Sequence, residues 1–255
     1  MRLLLILTLS TISISSWACR CANTENIFFE LLEAEYVFLA TVTTVSDCKE
    51  DNRFEHELWI ESVYKGELPE FSNVYTDCIT SCAFNLKKGS RYIFFTDLVG
   101  NNIEFCELRI EGTDENFINT KRNLDKIKDA KLDYVKLYEH RDTTIGYSAR
   151  LMAQSGRING IVNIYNNKGN LVLKGLMKNG KMQGYFEITN FTKEFSEYWT
   201  GDYKNGERIG NWIYKKISKS NTDNIEYILY MYEDGEIVKK LDLDTDAQLK
   251  LYEPK

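Results

Sequence analysis

The residues of this chain that can do chemistry are six cysteines, two histidines and many carboxylates, and their placement narrows what that chemistry is. The cysteines are Cys19, Cys21, Cys48, Cys78, Cys82 and Cys106, so all of them precede residue 107. An even set confined to one end of a chain that begins like an exported protein reads as a disulfide framework, although spacing alone does not choose the pairing. Cysteines paired in this way serve neither as nucleophiles nor as metal ligands. His56 lies in a stretch that alternates apolar and polar residues and reads as structural. His140 closes a charged stretch that reads as helical, where a cation favours the helix dipole. No His-Glu-x-x-His, Gly-x-Ser-x-Gly or phosphate loop is present. Two carboxylates suffice for a glycosidase, but nothing in the sequence singles out a pair. The expectation is therefore no catalytic residue, no metal and no cofactor.

Cys19 draws its interest from what precedes it. Arg2 supplies a positive charge, residues 3–14 are apolar and too short to span a bilayer, and Ser16 and Ala18 place small residues before Cys19. A cut there makes 1–18 a signal peptide and leaves Cys19-Arg20-Cys21 at the mature end with a free α-amine. The competing fate is acylation of Cys19 as a lipoprotein. Ser16 and Trp17 stand where such signals carry an aliphatic and a small residue, and acylation would leave an odd number of cysteines. The expected destination is outside the cytoplasm: secreted, periplasmic or at the cell surface. Attachment to a membrane follows only if Cys19 is lipidated.

The elements that must position these residues begin with a chain of 255 residues, enough for one large or two ordinary domains. Its charged fraction of 27% and hydrophobic fraction of 43% are those of a folded, soluble protein. A net charge of −6 without a basic run argues against nucleic acid as a partner. Residues 23–32 form a short helix on this reading, with Ile27, Phe28, Leu31 and Leu32 on one side. Residues 36–42 are β-branched, aromatic and almost continuously apolar, and Phe54, His56, Leu58 and Ile60 alternate with polar neighbours into Val63-Tyr64-Lys65-Gly66. Residues 73–77, 91–95 and 103–108 complete five strands, the number and length of a small closed barrel. Residues 113–140 lack Gly and Pro and space Phe117, Leu124, Ile127, Tyr134 and Tyr138 as an amphipathic helix or helix pair, with Thr113 or Asp114 as cap. Residues 141–155 read as a connector between two folding units.

From residue 156 the chain repeats. Gly156-Arg157-Ile158-Asn159-Gly160, Gly180-Lys181-Met182-Gln183-Gly184 and Gly206-Glu207-Arg208-Ile209-Gly210 share one template at spacings of 24 and 26 residues, and Asp234-Gly235 opens a truncated fourth unit. Asn179-Gly180, Asn205-Gly206 and Asp234-Gly235 are turn dipeptides suited to positive φ. Each unit is a β-hairpin that buries its apolar face only by stacking on the next. The unit aromatics read first as repeat core. The alternative is a ligand-facing strip that includes Tyr185, Trp199, Trp212 and Tyr214.

Taken together, Cys19-Arg20-Cys21, residues 36–42, Val63-Tyr64-Lys65-Gly66, Cys82 before Gly89, Tyr92-Ile93-Phe94 and Cys106 resemble the netrin-like, tissue-inhibitor-of-metalloproteinase-like family. That resemblance implies an OB-type barrel over 19–112, with disulfides Cys19–Cys82, Cys21–Cys106 and Cys48–Cys78. Asn205 to Trp212, with its Asn-Gly-x-x-x-Gly-x-Trp, resembles the variant MORN repeats of bacterial proteins, which implies a β-hairpin repeat domain over 156–240, followed by a tail at 241–255. The expected fold is thus mainly β, a five-stranded barrel with flanking helices followed by hairpin repeats.

Such a chain is expected to be an exported binding protein without enzymatic activity, its partner an unidentified protein or envelope or cell-surface component. In inhibitors of the family the first cysteine's α-amine and carbonyl chelate the protease zinc and the next side chain enters the specificity pocket. Cys19 and Arg20 would fill those roles here. Arg20 is long and always charged, which disfavours inhibition of ordinary metalloproteases. A carboxylate-based hydrolase is the third alternative.

Overall fold

The computed structural model describes residues 26–68, 73–79, 83–103, 107–140, 146–154 and 156–243. The chain is mainly β, with two antiparallel sheets and two α-helices among these residues. The signal segment, Cys19, Arg20, Cys21, Cys82 and Cys106 lie outside them.

The first sheet explains why residues 36–42 are apolar almost without a break. They belong to β1 (Tyr36–Val45), which is flanked by β2 (Arg53–Lys65) and β4 (Arg91–Thr96). With β3 (Asn73–Asp77) and β5 (Arg109–Glu111) the order is β3-β2-β1-β4-β5. Both faces of β1 are buried. Phe38, Ala40 and Val42 join a cluster with Leu58, Val74 and Phe94, while Val37 and Leu39 join another with Ile93 and Phe95. A strand buried on both sides has no polar face to show in its sequence. The fifth strand differs from the expected 103–108. Ile103 N donates instead to Tyr75 O of β3 at 2.9 Å, beside a parallel bridge between Tyr75 and Asn102. With that segment committed to β3, pairing with β4 falls to residues 109–111. Cys48 and Cys78 are disulfide-bonded, pinning the β1–β2 loop to the end of β3.

Helix α1 (Ile27–Glu33) starts where Asn26 Oδ1 accepts from Phe28 N at 2.9 Å, and it buries Ile27, Phe28, Leu31 and Leu32. Helix α2 (Asn116–Lys128) corrects the reading of 113–140 as helical. Residues 131–140 form β6 (Lys131–His140), so His140 ends a strand and not a helix. Tyr134 and Tyr138 fit a helical spacing, but the segment also alternates, and pairing along its length with β7 (Gly146–Gln154) decides for strand. β7 in turn occupies most of the expected connector. Ala149, Leu151 and Ala153 are buried at every second position. Helix α2 covers the outer edge of β6, where the Asn119 and Asn123 side-chain amides each donate to Tyr138 O at 2.8 Å.

From β6 the sheet continues without interruption through β8 (Arg157–Asn166), β9 (Leu171–Lys178), β10 (Lys181–Phe191), β11 (Phe195–Lys204), β12 (Glu207–Ser218), β13 (Ile225–Glu233) and β14 (Glu236–Leu243). This nine-stranded meander begins before residue 156 and ends after residue 240, so it is wider than the expected repeat region. Asn179-Gly180, Asn205-Gly206 and Asp234-Gly235 all turn with both residues at positive φ. Successive turns are tied the same way: Gly180 N donates to Ile158 O and Gly206 N to Met182 O, each at 3.0 Å. Asn179 N and Asn205 N donate to the side chains of Asn159 and Gln183. Two glycines make room for rings. A Cβ on Gly175 would lie 2.2 Å from Phe186, and one on Gly201 would lie 2.4 Å from Trp212.

The expected division into two folding units does not extend to the core. One cluster runs from α1 through Val37, Leu39, Ile93 and Phe95 into Leu137, Phe186, Trp212 and Tyr232. Helix α1 is the wedge between the sheets, and its apolar residues serve both.

Candidate functional site

Val63-Tyr64-Lys65-Gly66 ends β2 where the two sheets and both helices meet. Tyr64 Oη donates to Asp125 Oδ1 of α2 at 3.1 Å, and burial followed by the Asp125 charge pushes its hydroxyl pKa up. Lys65 Nζ donates to Leu31 O at 3.0 Å and to Leu32 O at 2.9 Å, where the last turn of α1 leaves carbonyls unpaired. Burial draws the pKa of that ammonium down to about 8. Gly66 has φ 81°, and a Cβ there would stand 2.7 Å from Glu35 O and 2.7 Å from Tyr36 Cδ1. Asp97 Oδ1 accepts from Glu35 N at 2.9 Å, fixing the chain as it leaves α1.

These contacts hold one wall of a cleft of about 950 Å³. The other wall is the row of repeat turns, with Gly156, Asn179-Gly180 and Asn205-Gly206. Leu32 and Ile158 give it an apolar interior, and Val99, 72% exposed, stands at its edge. The lining carries both signs, Glu33, Glu35 and Asp97 against Lys128, Arg157 and Lys181. Glu33 is exposed yet sits within the concavity. Loss of surrounding water raises its pKa, Arg208 opposes that rise and Asp97 adds to it.

Behind Glu33 lies a group that the sequence reading passed over. The Arg208 guanidinium carbon is 4.5 Å from the ring centre of Trp212, 5.6 Å from Trp199 and 5.7 Å from Tyr232. Its Nε donates to Tyr203 Oη at 3.2 Å and its Nη1 to Tyr232 Oη at 3.1 Å. The signal was present: Arg208 is the third residue of its unit, where the earlier units have Ile158 and Met182.

The alternative reading of the unit aromatics, an exposed ligand-facing strip, does not describe Trp212 or Tyr214. Trp212 and Tyr214 are buried in the fold, so neither faces a ligand. Trp199 is half-buried and stacks on Tyr230 with centroids 5.3 Å apart. Tyr185 is exposed, but it follows the opposite face of the sheet from Phe186. Strand alternation sets Tyr185 apart, whereas Trp199 and Tyr214 are register partners with ring centroids 4.6 Å apart and Trp212 shares their face.

His56 is structural. Thr76 Oγ1 donates to Phe84 O at 2.9 Å, so its oxygen accepts from His56 Nε2 at 2.8 Å and the proton sits on that nitrogen. Burial pushes the His56 pKa down to about 4. Among the described residues no group of His, Cys, Asp and Glu is arranged to hold a metal ion, and no helix is long and apolar enough to cross a membrane. Compared with known proteins, the chain matches no protein-family model and no curated protein.

Proposed function

We propose that the chain is an exported, non-enzymatic binding protein that captures an envelope or cell-surface component in the cleft between its two sheets. The observation that carries this reading is convergence. The end of α1, Lys65-Gly66 and the Asn-Gly turns of successive repeats are far apart in sequence, and all line one concavity of about 950 Å³. That size suits ligand pockets, which run to roughly 1,000 Å³. Its mixture of apolar interior and charges of both signs suits recognition of a polar partner. Export is the reading of residues 1–18, and the Cys48–Cys78 bond is in keeping with an oxidising compartment.

The architecture proposed with it is a netrin-like, OB-type barrel joined to MORN-like repeats. The strand order β3-β2-β1-β4-β5 and the parallel bridge from β3 to Asn102 support the first. The recurring turn contacts of Ile158 with Gly180 and of Met182 with Gly206 support the second. Neither fold dictates a ligand, so it is the cleft that favours binding.

Site-specific photocrosslinking tests it. A benzophenone amino acid placed at Val99 on the cleft edge is expected to yield an adduct with a discrete envelope component in living cells. The same probe at Ile118, 69% exposed on α2, is the control and is expected to yield none. Equal labelling from both positions, or none from Val99, would contradict the proposal.

A further inference from the structure

Arg208 places a charge where the repeat template otherwise buries an apolar side chain. Ile158 and Met182, its counterparts, are each 3% exposed. Its guanidinium has five N–H donors, of which those to the Tyr203 and Tyr232 hydroxyl oxygens are matched. The Nη2 hydrogens meet no acceptor among the described residues, and no carboxylate of these residues forms an ion pair with Arg208. Each tyrosine oxygen already accepts from Arg208, so each hydroxyl still has a hydrogen to give. Arginine has no acceptor of its own. What the cluster has left is therefore donors alone, backed by the ring of Trp212 at 4.5 Å.

We propose that Arg208, Tyr203 and Tyr232, which stand beside the cleft next to Glu33 and Glu207 of its lining, form an oxyanion site that takes a carboxylate or phosphate group reaching past that lining. A group with negative oxygens is the complement of convergent N–H and O–H donors, and charge-assisted hydrogen bonds of this kind are the strong ones. The rings hold the guanidinium plane in place, so little ordering is left for the ligand to impose. Glu33 of α1 lines the cleft and feels the Arg208 charge without pairing with it. It balances the cation at a distance. The ligand class rests on the reading of the cleft as a binding site.

Tryptophan emission reports on this site directly, since Trp199 and Trp212 flank the guanidinium. The full chain is titrated with sodium acetate and with sodium phosphate, with sodium chloride holding ionic strength constant. A saturable change with either oxyanion is expected, and the stronger of the two identifies the ligand group. Arg208→Met installs the residue that stands at Met182 and is expected to fold while weakening apparent affinity at least tenfold. Tyr232→Phe keeps the ring, removes one donor and is expected to weaken affinity about threefold; it decides the matter if Arg208→Met does not fold. A wild-type response that is absent, or one unchanged in the folded variants, overturns the site. Because the titration needs no partner, a silent result leaves the crosslinking outcome at Val99 standing on its own.

Discussion

His56 shows how much one buried side chain can tie stability to pH. In the unfolded chain an imidazole titrates near 6.5. Folded, His56 is held to about 4 because burial removes the water that would solvate its cation, and Nδ1, which would take the second proton, meets no hydrogen-bond partner among the described residues. A folded pKa below the unfolded one means that the unfolded state takes the proton first as pH falls. The contribution is complete above about pH 6.5 and is lost between there and about pH 4, to the extent of about 3 kcal/mol. Urea denaturation at intervals across that window should therefore show a steeper acid loss for the natural chain than for His56→Phe, by about this amount. Parallel curves would mean that His56 titrates normally and is not enclosed. Arg208 is the second lesson at this scale. A charged residue in an apolar template position is informative only against its counterparts Ile158 and Met182, and taken alone Arg208 does not stand out.

Among the elements, the repeats depend on glycines that are empty space for a neighbour's ring. Gly201→Ala puts a methyl 2.4 Å from Trp212, which is fully buried and hydrogen-bonded from Nε1 to Asp202 O at 3.1 Å. The ring has nowhere to go, and a loss of about 3 kcal/mol is expected, in the range for overpacked cores. Gly180→Ala meets nothing within 4 Å and suffers only its positive φ, a cost of about 1 kcal/mol. Denaturation of the two variants side by side checks this, and equal losses would contradict the packing of Trp212 over Gly201. The hairpins themselves were legible because Asn179-Gly180, Asn205-Gly206 and Asp234-Gly235 carry a turn's conformational demand in two residues. Strands β1 and β2 were legible through β-branched content and alternation. β6 was not, since Tyr134 and Tyr138 satisfy helical and strand spacing alike and only the partner strand breaks the tie. β7 carries its alternation openly in Ala149, Leu151 and Ala153, but without one of the Gly-rich templates it reads as a connector. The cleft was illegible as a cleft. Its residues fall in separate motifs, and nothing local shows that Lys65 and the repeat turns face the same space.

For the molecule as a whole, the decisive feature is the single apolar cluster that runs from α1 into both sheets. Sequence composition suggests two units, since every cysteine lies in the first half and every template repeat in the second. Packing joins them. Ile27, Phe28, Leu31 and Leu32 belong to the same core as Phe186 and Trp212, while Lys65 and Tyr64 tie β2 to both helices. The cleft exists only while this seam holds, so a binding role at the seam requires the two sheets to behave as one body. Scanning calorimetry of the full chain, oxidised and then reduced, tests that most directly. Opening Cys48–Cys78, which spans 30 residues, is expected to cost about 3–4 kcal/mol in the chain-entropy account. If the sheets are one body, a single transition is seen, its calorimetric and van't Hoff enthalpies agree, and reduction moves the whole of it to lower temperature. Two transitions, with the repeat sheet melting at a temperature that reduction leaves untouched, would contradict the account.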